Sequence, residues 1–467
     1  MNVLTLDLGT SATKAALWAD TRLVALTRTP IATRHPGPDR AEQDPEDWWR
    51  AVVDACAELR VAAPDEYASL EMVSCAAARE TFACFDAALH PLSPGILWSD
   101  SRAVDESRAL GDPVAFRRRT GVALGPAACA AKIEWVRRHE PDRFRKSDWL
   151  LSPRDFVLAR ITGQVATDAT LASRTGLYDL SGTLIEDEAL SRKLPPVISS
   201  LGVQHLANGE ELSLPAGAQA ILGAGDRACE VLGIGATDGV PMVSWGTTAN
   251  VSIPHPGPID LLPAHAQVSR GAIDGFVIEA GLSAAGAAVE WLASLTGWSE
   301  RNLMAAAADV PTGSGGLLAF PWLYGARAPW WRPDVHASFT GLTNAHGAAE
   351  LARSIVEGVA VDVARCVELL CPDAVAMSLA GRGADEPLWR SVVAGMTGLP
   401  ARRHRFDEAA SVGARLLAGV AREESITVDA LNPVLDHESA APEISAAYAA
   451  LRKQSDRAAS RLMDSEL

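Results

Sequence analysis

One short pattern occurs twice, about half a chain apart, and it constrains the fold more than any other feature of the sequence. Residues 3–19 contain an apolar run, a turn of glycine, threonine and a further hydroxyl residue, and a second apolar run; residues 240–253 repeat this order. Each copy predicts a β-hairpin that begins a sheet. The 467 residues also exceed what one core accommodates. The repeat therefore favours two domains, with three as an option, and the alternative is a chance match of two short motifs.

The charge and the cysteines exclude several classes of protein. With 42 basic side chains against 58 acidic ones, the formal net charge is −16, which argues against nucleic acid and membrane partners because both need a cationic face. The seven cysteines are scattered and never spaced C-x-x-C, so neither a disulfide framework nor a zinc site is predicted. No signal peptide or membrane-spanning run is found. We therefore expect a soluble, cytoplasmic protein.

Local patterns predict individual elements. Asp44, followed by Pro45 and two acids, is typical of a helix start. Apolar residues recur at helical spacing between about residues 349 and 370, which predicts a long helix buried along one face. Residues 72–77 and 82–86 have the composition of strands.

The two predicted turns contain the residue types that bind phosphate. Glycine with serine and threonine exposes backbone N–H groups and hydroxyls without bulk. Asp7, directly before the first turn, supplies the oxygen ligands that Mg²⁺ prefers. Two such hairpins facing each other would hold a nucleotide phosphate tail; the alternative is two ordinary hairpins. The turn residues concerned are Gly9, Thr10, Ser11 and Lys14 in the first copy and Gly246, Thr247 and Thr248 in the second.

Two further glycine-rich segments carry candidate functional residues. Asp226 follows the run 222–225 at the junction of the two halves. A carboxylate on such a backbone suits a general base for an alcohol that attacks phosphorus; the alternative is an N-cap for a helix that starts near Arg227. Residues 381–384 form a glycine turn that could hold a flat ring such as adenine, and the alternative is a plain strand-to-helix connection.

Taken in order, these segments resemble the FGGY family of carbohydrate kinases over nearly the whole chain. DLGTSATKAALWA resembles that family's first phosphate motif, GAGDRACEVLG its catalytic-aspartate motif, SWGTTANVS its second phosphate motif and LAGRGADEPLWRSVVAGMTGLP its adenosine motif. EQDPEDWW, ILWSDSR, LLSPRDFVLARITGQVATDATLASRTGLYDL and YGARAPWWRPDVHASFTGLT also match. One such motif is weak evidence, whereas this many in the right order are strong evidence.

The resemblance implies an α/β, two-domain actin-like ATPase (ribonuclease H-like) fold, with a central mixed sheet in each domain and a cleft for ATP and substrate. We expect the domains at residues 1–219 and 220–467. By the same resemblance, the two glycine-threonine turns bind the phosphates and Asp7 lies near the Mg²⁺. Asp226 is then the catalytic base and a second metal neighbour. Gly381, Gly383 and Ala384 match the adenosine site.

Four residues are candidates for the acceptor pocket in addition to Asp226 and Arg227. Arg79 and Glu80 resemble the pair with which glycerol kinases hold polyol hydroxyls. Side by side they offer donors and an acceptor to adjacent hydroxyls; the alternative is a surface ion pair. Trp98 and Asp100 are predicted to line the same pocket, with a core tryptophan as the alternative.

Other positions depart from the glycerol kinases. Ala127 stands where those enzymes have a tyrosine, and residues 325–329 are more similar to the sugar-kinase form. Arg227 and Arg327, close to the predicted cleft, suggest an anionic or strongly polar acceptor such as an aldonate. We therefore expect a ketose, sugar alcohol or aldonate larger than glycerol, phosphorylated at a primary hydroxyl.

The expected activity is ATP-dependent phosphoryl transfer to an alcohol in carbohydrate metabolism, with Mg²⁺ as cofactor. Glycerol kinase and autoinducer-2-type kinase are alternatives, since the latter also carry Arg-Glu at this site. A non-catalytic ATP-binding regulator with the actin-like fold is the alternative from another class. A homodimer is an expectation by analogy alone.

Overall fold

The first half of the chain is built on a mixed sheet of seven strands. The structure is a computed structural model, and it describes residues 1–185, 187–257, 266–332 and 334–464. The strands of this sheet are β1 (Asn2–Leu8), β2 (Ala12–Ala19), β3 (Arg22–Pro30), β4 (Met72–Ala77), β5 (Val203–His205), β6 (Gln219–Ile221) and β7 (Ala224–Gly225). Their order is β5-β6-β4-β1-β2-β3, with β7 beside β4. β1 is antiparallel to β2 and parallel to β4, so Asp7, near the end of β1, stands opposite Lys14.

A second mixed sheet of seven strands forms the centre of the other half. Its strands are β8 (Met242–Trp245), β9 (Ala249–His255), β10 (Gln267–Arg270), β11 (Phe276–Gly281), β12 (Met377–Ala380), β13 (Ala401–His404) and β14 (Val434–Glu438). The order is β10-β11-β9-β8-β12-β13-β14. β8 is antiparallel to β9 and parallel to β12, as β1 is to β2 and β4. The predicted repeat of a hairpin that begins a sheet is therefore confirmed in both halves.

Helices cover both sheets. In chain order they are α1 (Pro45–Ala62), α2 (Pro64–Ala68), α3 (Val104–Ala109), α4 (Pro113–Thr120), α5 (Cys129–His139), α6 (Pro141–Lys146), α7 (Pro153–Thr162), α8 (Ala169–Ala172), α9 (Glu188–Ser191), α10 (Asp226–Gly233), α11 (Gly286–Thr296), α12 (Glu300–Ala308), α13 (Ala348–Leu370), α14 (Pro387–Thr397), α15 (Ala409–Ala421), α16 (Val428–Leu431) and α17 (Pro442–Asp464). Short 3₁₀ turns lie at Ser173–Thr175, Ser314–Gly316 and Arg382–Asp385.

Short strands also pair outside the two large sheets. The two-stranded pairs are Glu42–Gln43 with Gly95–Ile96, Ala83–Phe85 with Trp149–Leu151, Thr167–Asp168 with Val197–Ile198 and Leu318–Phe320 with Ser338–Thr340.

The helix pair α10 and α15 lies between the two sheets. Apolar residues of both helices pack with β1, β2 and β4 of the first sheet, and other residues of α10 pack with Met242 and Val277 of the second. The two helices cross at glycines: a Cβ on Gly233 would meet the backbone oxygen of Ala409 at 2.0 Å, and one on Gly413 would meet that of Cys229 at 2.0 Å. This crossing places the first residue of α10 at the junction of the halves.

The local predictions can be compared with these elements. Asp44 caps α1 by accepting a hydrogen bond from the Glu46 amide, and Pro45 is the first helical residue. Strand β4 has the predicted bounds, and the predicted strand 82–86 is found as Ala83–Phe85. The long helix α13 also forms, but it is buried around most of its circumference because other helices and β9 surround it. The prediction of burial along one face therefore underestimated how much of α13 is buried.

These elements confirm the predicted α/β class with a mixed sheet in each half. The boundary between residues 219 and 220 stays a prediction; β6 and β7, which reach to Gly225, belong to the first sheet. All seven cysteines are buried and unbridged. Among the described residues, no helix combines the length and apolar character needed to cross a membrane.

Candidate active site

The first turn carries a buried carboxylate beside a lysine. Asp7 is only 8% exposed, and the Lys14 Nζ lies 3.5 Å from its Oδ2 while also pairing with Glu408 on the segment before α15. Burial raises the pKa of Asp7 to about 7; Lys14 opposes this rise, and the negative charges of Asp226 and Glu408 add to it. Because ionising Asp7 is costly in the free protein, a bound cation near it would stabilise its charged form.

Asp226 is the first residue of α10, at the junction of the two halves. Gly225 occupies the N-cap position of α10, so Asp226 is not the N-cap residue that the alternative interpretation required. The side chain of Asp226 is 38% exposed, and its Oδ1 lies 3.0 Å from Nε of Arg79. The same Oδ1 accepts a hydrogen bond from the Arg227 amide at 2.6 Å. The carboxylate is thus held at one oxygen and open at the other.

A buried ion pair next to Asp226 joins the two halves. Arg79, which follows β4, donates two hydrogen bonds to Glu279 on β11, at 2.8 and 3.0 Å. Arg174 and Arg227 also approach Glu279, at 3.4 and 3.6 Å. Burial alone would raise the pKa of Glu279, but the charges of Arg79 and Arg174 hold it well below its ordinary value. Glu279 therefore organises three arginines from different parts of the chain.

Glu80 does not pair with its neighbour Arg79. Its backbone is left-handed, with φ of 61°, and its carbonyl accepts a hydrogen bond from the buried Lys132 at 3.0 Å. Its carboxylate accepts from Nε of Arg174 at 2.9 Å. Arg174 also donates to Gln267 at 2.7 Å. Arg79 and Glu80 thus belong to one network of ion pairs and hydrogen bonds that spans both halves. They do not form the surface ion pair of the alternative interpretation.

Trp98 and Asp100 lie in different surroundings. The Trp98 side chain is 42% exposed, and its indole N–H donates to the Thr10 hydroxyl of the first turn at 2.9 Å. Asp100 is fully buried, and its oxygens accept from the Ala41 amide at 2.8 Å and from Nε of Arg102 at 2.9 Å. Trp98, a predicted acceptor residue, therefore contacts the predicted phosphate turn. The role of Asp100 as a pocket residue stays a prediction, since protein donors already occupy its oxygens.

Arg227 and Arg327 differ in how far their hydrogen-bonding capacity is used. Arg227 donates from Nη1 to Glu230 at 2.5 Å and to Ser244 at 2.7 Å. Arg327 is half-buried. Its guanidinium lies beside Gly281 at the end of β11, since a Cβ on Gly281 would stand 3.6 Å from Nη2 of Arg327. It makes no side-chain hydrogen bond or ion pair to any described residue. Arg79, Arg174 and Arg227 all make side-chain hydrogen bonds, whereas Arg327 makes none to the described residues.

The predicted adenosine turn packs against the residue that precedes the second predicted phosphate turn. Gly381 follows β12 with φ of 76°, and a Cβ there would meet the backbone oxygen of Trp245 at 2.4 Å. A Cβ on Gly383 would meet the Trp245 side chain at 2.5 Å. The close approach to Trp245, the residue before Gly246, requires both glycines. The turn that also contains Ala384 is therefore adjacent to the second phosphate turn.

The turns fit a polyphosphate with a bound Mg²⁺. The hydroxyls of Ser11, Thr247 and Thr248 make no side-chain hydrogen bond to the described residues, and they stand at or near the surface. The described part of the chain contains no group of three side chains able to hold a metal ion by themselves. A metal at Asp7 would thus need oxygens from its ligand, which is the usual arrangement for Mg²⁺ with a nucleotide.

Sequence reasoning missed the partners supplied by the opposite half. Glu279, Arg174 and Gln267 were not singled out, although all three contact predicted acceptor residues or each other. One signal was available for Glu279, which is a lone acid in the apolar strand FVIEAG. A buried carboxylate in such a strand requires a cationic partner. Nothing local marks Arg174 or Gln267.

Family models match both halves of the chain. The model of the N-terminal domain of the FGGY family of carbohydrate kinases matches residues 2–233, and the model of its C-terminal domain matches residues 242–422. The chain belongs to the FGGY family of carbohydrate kinases. It is accordingly a phosphotransferase that uses ATP and acts on a carbohydrate hydroxyl.

Individual relatives are named as kinases of different acceptors. The xylulose kinase of Klebsiella pneumoniae is 33% identical over 437 residues, which is 89% of each chain. The glycerol kinase of Citrifermentans bemidjiense is 30% identical over 453 residues, or 90% of each chain. A crystal structure of gluconate kinase from Lactobacillus acidophilus has a TM-score of 0.90 at 21% identity and covers 99% of this chain and 98% of that one. The likeness of structure confirms the actin-like ATPase fold predicted above.

Proposed function

We propose that this protein transfers the γ-phosphoryl group of ATP to a primary hydroxyl of an open-chain sugar, sugar alcohol or aldonate larger than glycerol. The observation that carries the proposal is the position of Asp226. Its half-exposed carboxylate begins a helix between the two sheets, next to Arg79 and within the electrostatic reach of Asp7. One carboxylate thus lies where the acceptor side and the phosphate side meet.

Asp226 is proposed as the general base. Arg79 and the Arg227 amide hold Oδ1, which leaves Oδ2 without a partner among the described residues. The acceptor hydroxyl gives its proton to Oδ2 while its oxygen bonds to the γ-phosphorus and the bond to the ADP oxygen breaks. Because phosphoryl transfer has a loose transition state, positioning and charge neutralisation supply most of the acceleration.

The nucleotide side is proposed to bind ATP through the turns. Backbone N–H groups and hydroxyls of Gly9–Ser11 and Gly246–Thr248 would hold the phosphates, with Lys14 near them, and Gly381, Gly383 and Ala384 would border the adenosine. Asp7, with Asp226 as a second neighbour, would hold Mg²⁺, which neutralises phosphate charge when bound. The Arg79–Glu279 pair connects the halves and so favours the closed cleft that excludes water.

The acceptor pocket gives one reason to include aldonates. Relatives are named for xylulose, glycerol and gluconate, so their names leave the acceptor open. Arg327 carries an unused guanidinium near Glu279 and Glu80, and a guanidinium in a half-buried site binds a carboxylate well. Arg227 is already occupied by Glu230 and Ser244. Arg327 is therefore the better candidate for a substrate carboxylate.

The test is ADP release from Mg·ATP with a panel of ketoses, sugar alcohols, aldonates and glycerol, with Asp226→Asn beside the wild type. We expect turnover on a five- or six-carbon member of the panel and a loss of about 10²–10⁴-fold in Asp226→Asn, with ATP binding unchanged. Turnover of glycerol alone would replace the proposal with glycerol kinase. Silence across the panel with intact ATP binding would favour a regulator or an acceptor outside these classes.

A second measurement separates acidic from neutral acceptors. In Arg327→Gln, the KM for an aldonate is expected to rise by about tenfold or more relative to the KM for a ketose, because a charge-assisted pair is lost. Equal changes for both acceptors would remove Arg327 as a carboxylate ligand.

Three coarser proposals accompany the activity. We propose a domain boundary between residues 219 and 220, a homodimer, and a cytoplasmic location. The predicted absence of nucleic acid and membrane partners follows the charge of −16. Light scattering on the purified protein tests the dimer.

A further inference from the structure

The backbone amide directly before Asp226 is held by a buried hydroxyl. The Gly225 N–H donates a hydrogen bond of 2.7 Å to Oγ1 of Thr170, a residue that is 1% exposed. The Thr170 hydroxyl in turn donates to Asp168, with Oδ2 at 2.7 Å. Because a carboxylate only accepts, the single hydroxyl hydrogen goes to Asp168, and a lone pair remains for the Gly225 N–H. The direction of both hydrogen bonds is thus determined.

Asp168 is itself fixed by other buried groups. It is fully buried, its Oδ1 accepts from Arg154 at 2.6 Å, and its Oδ2 accepts from the Ser200 hydroxyl at 2.7 Å. Arg154 is also fully buried and donates to Asp155 at 2.8 Å. A satisfied network of this kind is rigid. The Thr170 hydroxyl therefore has one orientation.

The opposite face of the same segment is held by the first sheet. β7 pairs in parallel with β4, with Gly225 opposite Ala77. Gly223 has φ of 67°, and a Cβ there would lie 1.8 Å from the backbone oxygen of Cys75, so only glycine fits. A Cβ on Gly225 would lie 3.0 Å from Cγ of Arg79. The segment that leads into Asp226 is thus confined between β4, Arg79 and Thr170.

We infer that Thr170 is a positioning residue for the reaction: its hydroxyl fixes the Ala224–Gly225 peptide, directly before Asp226, and thereby the place of the Asp226 carboxylate against the acceptor hydroxyl. Asp168 orients the Thr170 hydroxyl, and Arg154 supports Asp168 while also donating to the Gly223 carbonyl at 3.5 Å. The inference rests on the proposed role of Asp226 as the base. An error of about 1 Å in such a group costs about a hundredfold in rate.

The experiment compares three variants of the full chain. Thr170→Val keeps the shape but leaves the Gly225 N–H without its acceptor, whereas Thr170→Ser keeps the hydroxyl. Ser200→Ala is the matched control, since it also removes one hydrogen bond to Asp168 but does not touch Gly225. Measured with the best acceptor of the panel, kcat is expected to fall about 10- to 100-fold in Thr170→Val and to change by less than about threefold in the other two. KM for ATP is expected to stay within about threefold in all three.

Melting temperatures separate positioning from general loss of stability. Thr170→Val and Ser200→Ala are expected to lower the melting temperature to a similar extent, so a structural effect alone would lower kcat in both. Equal kcat losses in these two variants, or a wild-type kcat in Thr170→Val, would overturn the inference. Thr170→Ala gives the same comparison if the valine variant does not fold.

The Asp226→Asn variant separates this inference from the proposed function. If Asp226→Asn is silent and Thr170→Val is fully active, only the positioning role fails. If Asp226→Asn keeps its turnover, the proposed base fails first. In the double variant, the Thr170→Val loss is expected to disappear, because both changes act on one group.

Discussion

The proposed acceptor side and the proposed nucleotide side differ in how their charges are paired. On the proposed acceptor side, Arg79, Arg174, Glu80 and Glu279 form ion pairs that already exist without a ligand. On the proposed nucleotide side, the turns offer glycines and hydroxyls, and the buried Asp7 shares Lys14 with Glu408, so that its ionisation stays costly. A sugar brings little charge of its own, so its site must be organised by the protein. ATP brings its own charges and its metal, so the backbone donors of the turns need only a few charged side chains beside them.

Removing the central acid of the acceptor side is expected to have the largest effect. Glu279→Ala leaves three arginines near an empty site, and loss of one partner from a buried pair costs about 3–5 kcal/mol in the free energy of unfolding. Urea denaturation measures this. Glu290→Ala, an exposed acid on α11, is the control and should change the free energy by less than about 0.5 kcal/mol. Similar values for both variants would mean that the acceptor side does not depend on its ion pairs.

Removing the one acid of the first turn should affect catalysis more than stability. In Asp7→Asn, kcat is expected to fall by about 10²-fold or more because the charge beside the phosphates is lost. The melting temperature should not fall, since an acid that is hard to ionise becomes a neutral amide. Asp54→Asn, exposed on α1, serves as the control. A wild-type kcat in Asp7→Asn would contradict the proposed metal neighbour.

The pKa of Asp7 predicts how pH and Mg²⁺ are linked. With a pKa of about 7, protons compete with the metal below neutrality, so the Mg²⁺ concentration for half-maximal rate should rise about tenfold per pH unit there. The folding stability of the free protein depends on pH in the opposite direction to Mg²⁺ binding. Because the pKa of Asp7 is higher in the folded than in the unfolded chain, the stability due to Asp7 is present at low pH and is lost as pH rises through about 7. Rates at fixed ATP from pH 5.5 to 8.5 test the first statement. The same Mg²⁺ dependence at every pH would contradict it.

The contact between the two sides should have the smallest effect. Trp98→Phe removes the 2.9 Å hydrogen bond to Thr10 at a half-exposed position, and such a bond is worth about 0.5–1.5 kcal/mol. We expect the KM for ATP to rise by about two- to tenfold, with kcat unchanged. A larger change in the acceptor KM than in the ATP KM would assign Trp98 to the acceptor side.

The sequence predicts most of what local pattern controls. The two hairpins, the helix cap at Asp44 and strand β4 depend on residues within a few positions of one another. The place of Asp226 at the junction of the halves and the two turns also follow from order and composition. The partners of Arg79 could not be found this way, because Glu279 is 200 residues away and reaches it only through the packing of two sheets.

The same limit explains Gly381 and Gly383. Their composition suggested a bare surface for a flat ring, but the space that a side chain would fill is taken by Trp245. Glycine in a sequence shows that something comes close to the backbone, and only the structure shows whether that neighbour is protein. The adenosine role of this turn stays a prediction.

The crossing of α10 and α15 is tight because main chain meets main chain at two points, Gly233 against Ala409 and Gly413 against Cys229. No described side chain lies between the two helices at these points. A single methyl group added at either glycine would force the helices apart. Because apolar residues of α10 pack with both sheets, such a change would also disturb the packing between the two halves.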